Sequence, residues 1–520
     1  MKMKTKIFNI ALALTLGLGA TSCNDWLDVE PSVEMDREQL FENEDGFADA
    51  MSGIYGNMGA DQLYGKNLTW WFMELIGGTA QAGSSLTNII AQYPFHKDTP
   101  YSYYQNYQTN YIDPIWRKAY NTIANVNSII NNIDDHKNVF KGNDYNVIKG
   151  EVLGLRAFLH FDLMRIYTDA YSSEKYKADA KYMPYVKTLT SDVYPLLTCD
   201  QLCNQMLADL KEAVELLKND PIVTGETPSK YVCGAVSGRP DLCERYNIKD
   251  WHNRRMHFNY YAAVATMARI YLWKGDKANA LACAKEVIEA QDKAFFWVNT
   301  DLVANTQSTD KKVARDRTFC TEHIFALNVD DITDRTDGIL ESRTKAYTST
   351  NSLVGIYTAY CFDEATRDDD VRYKYLKFDY NSTFLIPTKL WQDEALDDDG
   401  TYSPWARKRI PLIKASEMYY IAAECEPDLT KATAYLETVR RHRGLTAHPL
   451  AVTTAEDLAL EINKEYRREF ISEGQMFYFN KRQNNDITIK GMSGTTVYTV
   501  TPKVFTMERP NDEDTYAGRE

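Results

Sequence analysis

Apolar residues recur three and four apart over long stretches of this chain, which is the helical period. Ile115 to Ile133 carries Trp116 and Tyr120 on such a stripe. Tyr145 to Tyr167 is longer and so rich in apolar residues that it predicts a helix buried on more than one side. Asp200 to Lys218 predicts a helix capped by Asp200 and ending before Pro221. His257 to Trp273 and Lys277 to Ala290 read as a helical hairpin about Gly275-Asp276. Ser416 to Glu424 and Leu429 to Arg441 read as a second hairpin about Pro427-Asp428, and Ala455 to Glu473 as a closing helix.

The first hairpin places Ala268, Tyr271, Gly275, Ala280 and Ala284 at tetratricopeptide-like spacing, and Ala422, Ala423, Ala432 and Ala434 echo it. Such units are a packing solution rather than a function. The expected fold is therefore mostly α, a tetratricopeptide-like scaffold of helical hairpins with long irregular loops. Three irregular stretches, Ala60 to Asp113, Gln291 to Thr321 and Tyr357 to Pro411, are dense in Tyr and Trp. Loops of that length are functional or disordered, and aromatic richness argues against disorder.

The N-terminus is an export signal. Lys2, Lys4 and Lys6 precede an apolar run, Ile7 to Ala20, too short to span a bilayer permanently. Ala20-Thr21-Ser22-Cys23 resembles a bacterial lipobox, in which Cys23 becomes the lipid-bearing N-terminus. The alternative is ordinary secretion with cleavage near Ala20. More than one acyl chain makes anchoring stable, and no second run of about 18 apolar residues was found.

Composition narrows the chemistry. The 520 residues are 44% hydrophobic and 25% charged, the balance of a packed protein. The net charge of −14 becomes −17 once Lys2, Lys4 and Lys6 leave with the signal, which argues against nucleic acid and against docking to anionic lipid. Eight cysteines follow Cys23. Export permits disulfides, and the expected ones lie in 199–243, where Cys199/Cys203 and Cys233/Cys243 pair by proximity and Cys233–Cys243 is favoured. Cys283 and Cys425 read as small core residues. The eight His form no H-E-x-x-H, and no G-x-S-x-G or phosphate-binding Gly loop is present. Asp397-Asp398-Asp399-Gly400 lacks EF-hand spacing. Neither a metal nor another cofactor is expected.

Several segments form an ordered set. They are Cys23-Asn24-Asp25-Trp26-Leu27-Asp28, the helix Glu151 to Tyr167 with Arg156-Ala157, Phe161-Asp162-Leu163 and Arg165, and Asp209-Leu210 with Ala213. Glu417 to Glu424, Val439-Arg440 with Arg443-Gly444-Leu445, and Ile462, Glu465, Glu469, Phe470, Glu473 and Gly474 complete the set. Together they resemble the SusD/RagB family of outer-membrane lipoproteins. The chain departs from the family pattern at Thr168 to Tyr171 and at Gln475-Met476-Phe477-Tyr478-Phe479. The resemblance implies a lipid-anchored (palmitate-bearing) protein of the cell outer membrane that faces the exterior. It would bind a nutrient, a glycan or in some members a peptide, and deliver it to a SusC-like TonB-dependent barrel, with no chemistry required. It also implies a division into a signal, 1–22, an N-terminal region, 23–290, and a C-terminal region, 291–520.

A sugar ring has an apolar C–H face and a hydroxyl edge, so its site wants exposed aromatics beside polar groups. Tyr101, Tyr103 and Tyr104, alternating with Ser102, Gln105 and Asn106, are the best local candidates, with Trp297, Trp391 and Trp405 in the other loops. Trp116 and Trp273 read as core. Arg440-Arg441-His442-Arg443 reads as a basic spot at a helix end. A secreted glycan-cleaving enzyme is the second reading, and a scaffold with no small ligand the third.

Overall fold

The computed structural model describes residues 39–79, 81–82, 108–190, 192–224, 254–298, 300, 303, 316–336, 354–357, 361–375, 377–381, 384–387, 389–390, 408–490, 496–500 and 506–516. Ten helices of nine residues or more stand among them. They are α1 Glu44–Met58, α2 Asp113–Ile133, α3 Asp144–Tyr167, α4 Cys199–Leu217, α5 Tyr260–Lys274, α6 Lys277–Ile288, α7 Ala415–Cys425, α8 Leu429–Arg441, α9 Ala455–Glu469 and α10 Gln475–Gln483. The mostly helical fold expected from periodicity is the fold observed.

α3 is the axis of the molecule. Nearly every residue from Val147 to Tyr167 is buried, because helices pack on several of its sides. A Cβ on Gly154 would sit 2.1 Å from the Phe258 ring, so only glycine admits that neighbour. α4 lies along α3 but is capped by Thr198 and Gln201 in a reciprocal box, one turn edge earlier than Asp200. The α5–α6 hairpin turns on Gly275 at φ 80, and Asp276 caps α6 through the Asn279 N–H at 3.2 Å. α7 and α8 repeat the design with Asp428 as cap. Of the small residues expected at the hairpin contacts, Ala268, Ala280, Ala284, Ala422, Ala423 and Ala432 are buried, whereas Ala434 is exposed, on the outer face of α8.

The closing helix is shorter than its periodicity suggests. α9 stops at Glu469, and α10 begins after a turn with Ser472 at φ 62 and Gly474 at φ 68. A Cβ on Gly474 would meet the Leu68 carbonyl oxygen at 2.6 Å, so chain packing and left-handed backbone both demand glycine there. α1 was not expected; Gly46, Gly53 and Gly56 weaken its helical propensity, but Phe47, Met51, Ile54 and Met58 bury one face.

Strands are few. β1, His323–Asn328, pairs antiparallel with β2, Arg409–Lys414, from His323↔Lys414 to Asn328↔Arg409. Strands Gln81–Ala82, Val354–Tyr357, Phe384–Pro387 and Lys377–Asn381 form a four-stranded antiparallel sheet in that spatial order. Stretches that read as irregular therefore supply a sheet. One apolar cluster runs from Phe41 to Met507, and a second joins α7, α8, α9 and α10 through Tyr420, Leu436, Ile462, Tyr466 and Phe479.

Candidate ligand-binding site

The charged motif residues turn inward. Arg156 on α3 clamps Asp209 on α4 with two bonds, 2.6 and 2.9 Å, and Tyr185 donates to the same carboxylate at 2.5 Å. Arg269 on α5 clamps Glu417 on α7 at 2.7 and 2.5 Å. Glu151 accepts from Arg254 at 2.6 Å, His257 at 2.8 Å and Tyr55. Burial alone would raise the Glu151 pKa, but Arg254 and then His257 bring it down to about 2.

The largest cluster joins α9 to the rest. Glu469 binds Arg443, Lys414, Arg372 and Ser416. Arg443 also clamps Glu322 at 2.9 and 2.6 Å. Glu465 is bound by Arg372, Arg440 and Arg468, which overcome its burial and hold its pKa at about 2. Lys389 and Lys414 share Glu473. Arg440 and Arg443 are thus interior staples, a correction to the basic spot read from sequence, because Glu465, Glu469 and Glu322 reach them from distant segments. Asp370 of the acidic run is likewise buried against Arg372 at 2.8 Å.

These carboxylates are committed to cations, so they do not form the free acid–carboxylate pair a glycosidase uses. Two buried acids do have raised values: Glu74 at about 7 and Asp316 at about 6, each pushed up by burial. Both accept backbone N–H groups, Glu74 from Ser472 and Gly474 and Asp316 from Cys320, and neither lines the open pocket.

That pocket, about 420 Å³, lies between the start of α2, the 184–194 segment and the C-terminal 510–513 segment. Pro114 in the first turn of α2 and the stripe behind it aim Trp116 and Tyr120 at its floor. The two rings lie 4.8 Å apart, and the Tyr120 hydroxyl donates to the Pro184 carbonyl at 2.9 Å. Tyr194 closes one side, held by the Thr188 carbonyl at 3.2 Å, and Val193 beside it is 56% exposed. Arg117, Asp192, Asp512 and Glu513 rim the opening, with Arg117 and Asp512 paired at 2.6 Å. The result is an aromatic floor with a polar, net acidic rim.

Of the expected site residues, Cys23, Tyr101, Tyr103, Tyr104, Trp391, Trp405, Cys233 and Cys243 lie outside the described residues. Trp297 is half-buried; it stacks on His442 at 4.2 Å and 10°, with Tyr419 at 5.1 Å. Cys199 and Cys203 are buried free thiols, not a disulfide pair. They sit one turn apart on α4, facing α3, where Cys203 meets the Met164 sulfur at 3.8 Å. Cys425 is buried and Cys283 packs on the core, as expected. Trp116 and Trp273 are buried, as expected, although Trp116 also floors the pocket. Sequence reading missed Tyr194; its only mark is an aromatic beside Pro195 in a polar stretch. Among the described residues no group of His, Cys, Asp and Glu is placed to hold a metal, and no helix is long and apolar enough to cross a membrane.

Helical hairpins stapled by buried ion pairs, with an aromatic pocket open at one side, define a mostly α tetratricopeptide-like scaffold. Two family models match the chain. One, described as starch-binding associating with outer membrane, matches residues 25–236, and the other, described as the SusD family, matches 321–517. The chain belongs to the SusD/RagB family. Solved structures agree on the fold. A SusD superfamily protein from Bacteroides thetaiotaomicron VPI-5482 is 19% identical, with 92% of this chain and 98% of that one covered at TM-score 0.63. A putative sugar binding protein from Bacteroides vulgatus ATCC 8482 is 21% identical, with 92% and 97% covered at TM-score 0.63. A SusD-like carbohydrate binding protein from the same strain is 16% identical, with 91% and 97% covered at TM-score 0.61. No curated protein matches this chain.

Proposed function

We propose that this protein is a lipoprotein of the outer membrane, exposed to the exterior, that binds a glycan and delivers it to a SusC-like TonB-dependent transporter. The observation that carries the reading is the fold match over nine-tenths of the chain to proteins described as sugar or carbohydrate binding. Commitment of the motif carboxylates to buried cations supports binding without turnover. A peptide ligand is the alternative within the same family. A glycan and peptide array probed with the mature protein tests the ligand class; retention of peptides alone replaces the glycan, and release of cleaved sugar replaces the binder by an enzyme.

Anchoring rests on Cys23. Cys23→Ala is expected to move the protein out of the membrane fraction or to leave its precursor uncleaved. Normal processing with unchanged membrane retention removes the lipid anchor from the proposal. Co-purification of a large barrel protein in mild detergent tests the partner.

The ligand face is assigned to Tyr101, Tyr103, Tyr104, Trp297, Trp391 and Trp405. Alanine at a true platform should weaken binding by about 1–3 kcal/mol, as loss of an aromatic anchor does, and leave the melting temperature nearly unchanged. Trp297→Ala should lower both, since one face of the ring already packs on His442. Calorimetric titration and thermal melts on the same variants decide. If all six lower stability and none alters binding, these rings belong to the core.

A further inference from the structure

A second, much smaller cavity is walled by α3, α5, α7, α9 and α10. At about 40 Å³ it holds a monatomic ion or a few waters and falls far below the roughly 300 Å³ at which small-molecule pockets begin. Three donors in its wall have no hydrogen-bond partner: Arg165 Nε, Trp273 Nε1 and the Tyr478 hydroxyl. The three residues are only 4–5% exposed, so solvent does not satisfy those atoms. Leaving a buried donor unpaired is destabilising, and three at one small cavity point to a shared acceptor.

The wall is short of acceptors. Both Glu417 oxygens already take Arg269, and Gln475 Oε1 takes Arg165 at 3.4 Å. A water offers two lone pairs, so one water cannot accept from all three donors at once. A halide accepts from all three donors and places no hydrogen. The charge of the wall agrees. Arg165, Arg269 and Arg482 face the cavity with Glu417 as the single carboxylate, while Asp162 and Glu424, which pair Arg165 and Arg482, lie outside the wall. Phe161, Tyr466 and Phe479 complete the lining.

We propose that this cavity binds a chloride ion through Arg165, Trp273 and Tyr478. Three of its wall residues, Gln475, Tyr478 and Phe479, come from the segment where this chain departs from the family pattern. The ion would tie α10 to α3 and α5 at the point where the chain turns after Gly474.

The test uses the mature protein, melted in sodium chloride, sodium bromide or sodium gluconate at equal ionic strength, and crystallised with bromide. Chloride and bromide should raise the melting temperature in a saturating way that gluconate does not reproduce. A bromide anomalous peak should lie within hydrogen-bond distance of Trp273 Nε1. Tyr478→Phe, which keeps the ring, and Trp273→Phe, which keeps an aromatic side chain but not the N–H, should abolish or weaken the halide-dependent rise. A melting temperature that follows ionic strength alone, with water and no bromide peak in the cavity, overturns the proposal, and the wild-type protein alone suffices to show it. Ligand binding at the surface is measured separately, so failure here leaves the nutrient-binding reading intact.

Discussion

Glu469→Ala is expected to remove about 3–5 kcal/mol of folding free energy, the scale at which one partner of a buried ion pair is lost. Glu469 is 1% exposed and binds Arg443 at 3.0 and 2.8 Å, Lys414 at 3.1 Å, Arg372 at 3.2 Å and the Ser416 hydroxyl at 2.9 Å. The cluster balances six cations, Arg372, Lys389, Lys414, Arg440, Arg443 and Arg468, with six carboxylates, Glu322, Asp363, Asp370, Glu465, Glu469 and Glu473. Removing one carboxylate leaves a cation in excess where water does not reach. Lys149→Ala makes the contrast: its partner Asp134 is 59% exposed, and such a pair contributes at most about 1 kcal/mol. Urea unfolding of both variants measures the difference. If Glu469→Ala unfolds within about 1 kcal/mol of the parent, the cluster does not hold the fold together.

Acid should unfold the protein steeply between pH 4.5 and 2. Glu151 and Glu465 each have a pKa of about 2 in the fold against an ordinary 4.5. In that window the unfolded chain binds the proton and the folded one does not, so stability is present above pH 4.5 and falls as pH drops toward 2. At about 1.4 kcal/mol per pKa unit, each carboxylate accounts for about 3 kcal/mol. Glu469, held well below its usual range by Arg443 and Lys414 against the effect of burial, adds in the same direction. Glu74 opposes them: burial raises it to about 7, so its contribution is present below pH 4.5 and lost as pH rises through 7. The urea midpoint should therefore drop sharply below pH 4.5. Glu465→Gln should start lower at pH 7 and show a shallower decline. A midpoint flat from pH 5 to 2.5 contradicts both assignments.

Much of the helical plan was legible because it is local. Ile115 to Ile133 and Tyr145 to Tyr167 fall within two residues of α2 and α3 at each end. The α5–α6 and α7–α8 turns were readable from Gly275 and from Asp428, which act at the positions where their chemistry is needed. α1 escaped because its apolar face is diluted by three glycines. The break after α9 escaped because Gly474 is called for by the approach of Leu68 and Thr69, some four hundred residues earlier. The Cys199/Cys203 pairing failed because the two thiols, one turn apart on α4, are each packed separately into the core. Within the pocket, Trp116 and Tyr120 were legible as a stripe, but not as its floor.

Periodicity, caps and ordered motifs act over a few residues, so the helices, the hairpins and the family to which they belong could be read without coordinates. The purpose of the motif charges emerges only from contacts between distant segments. Glu151 and Arg254 stand 103 residues apart, Arg269 and Glu417 148, and Arg443 and Glu322 121. A carboxylate in a sequence is the same whether it faces water or a guanidinium. Burial is a property of the assembled chain, and burial makes these residues interior staples, sets their pKa values, and leaves Arg165, Trp273 and Tyr478 facing a cavity that no local pattern foretells.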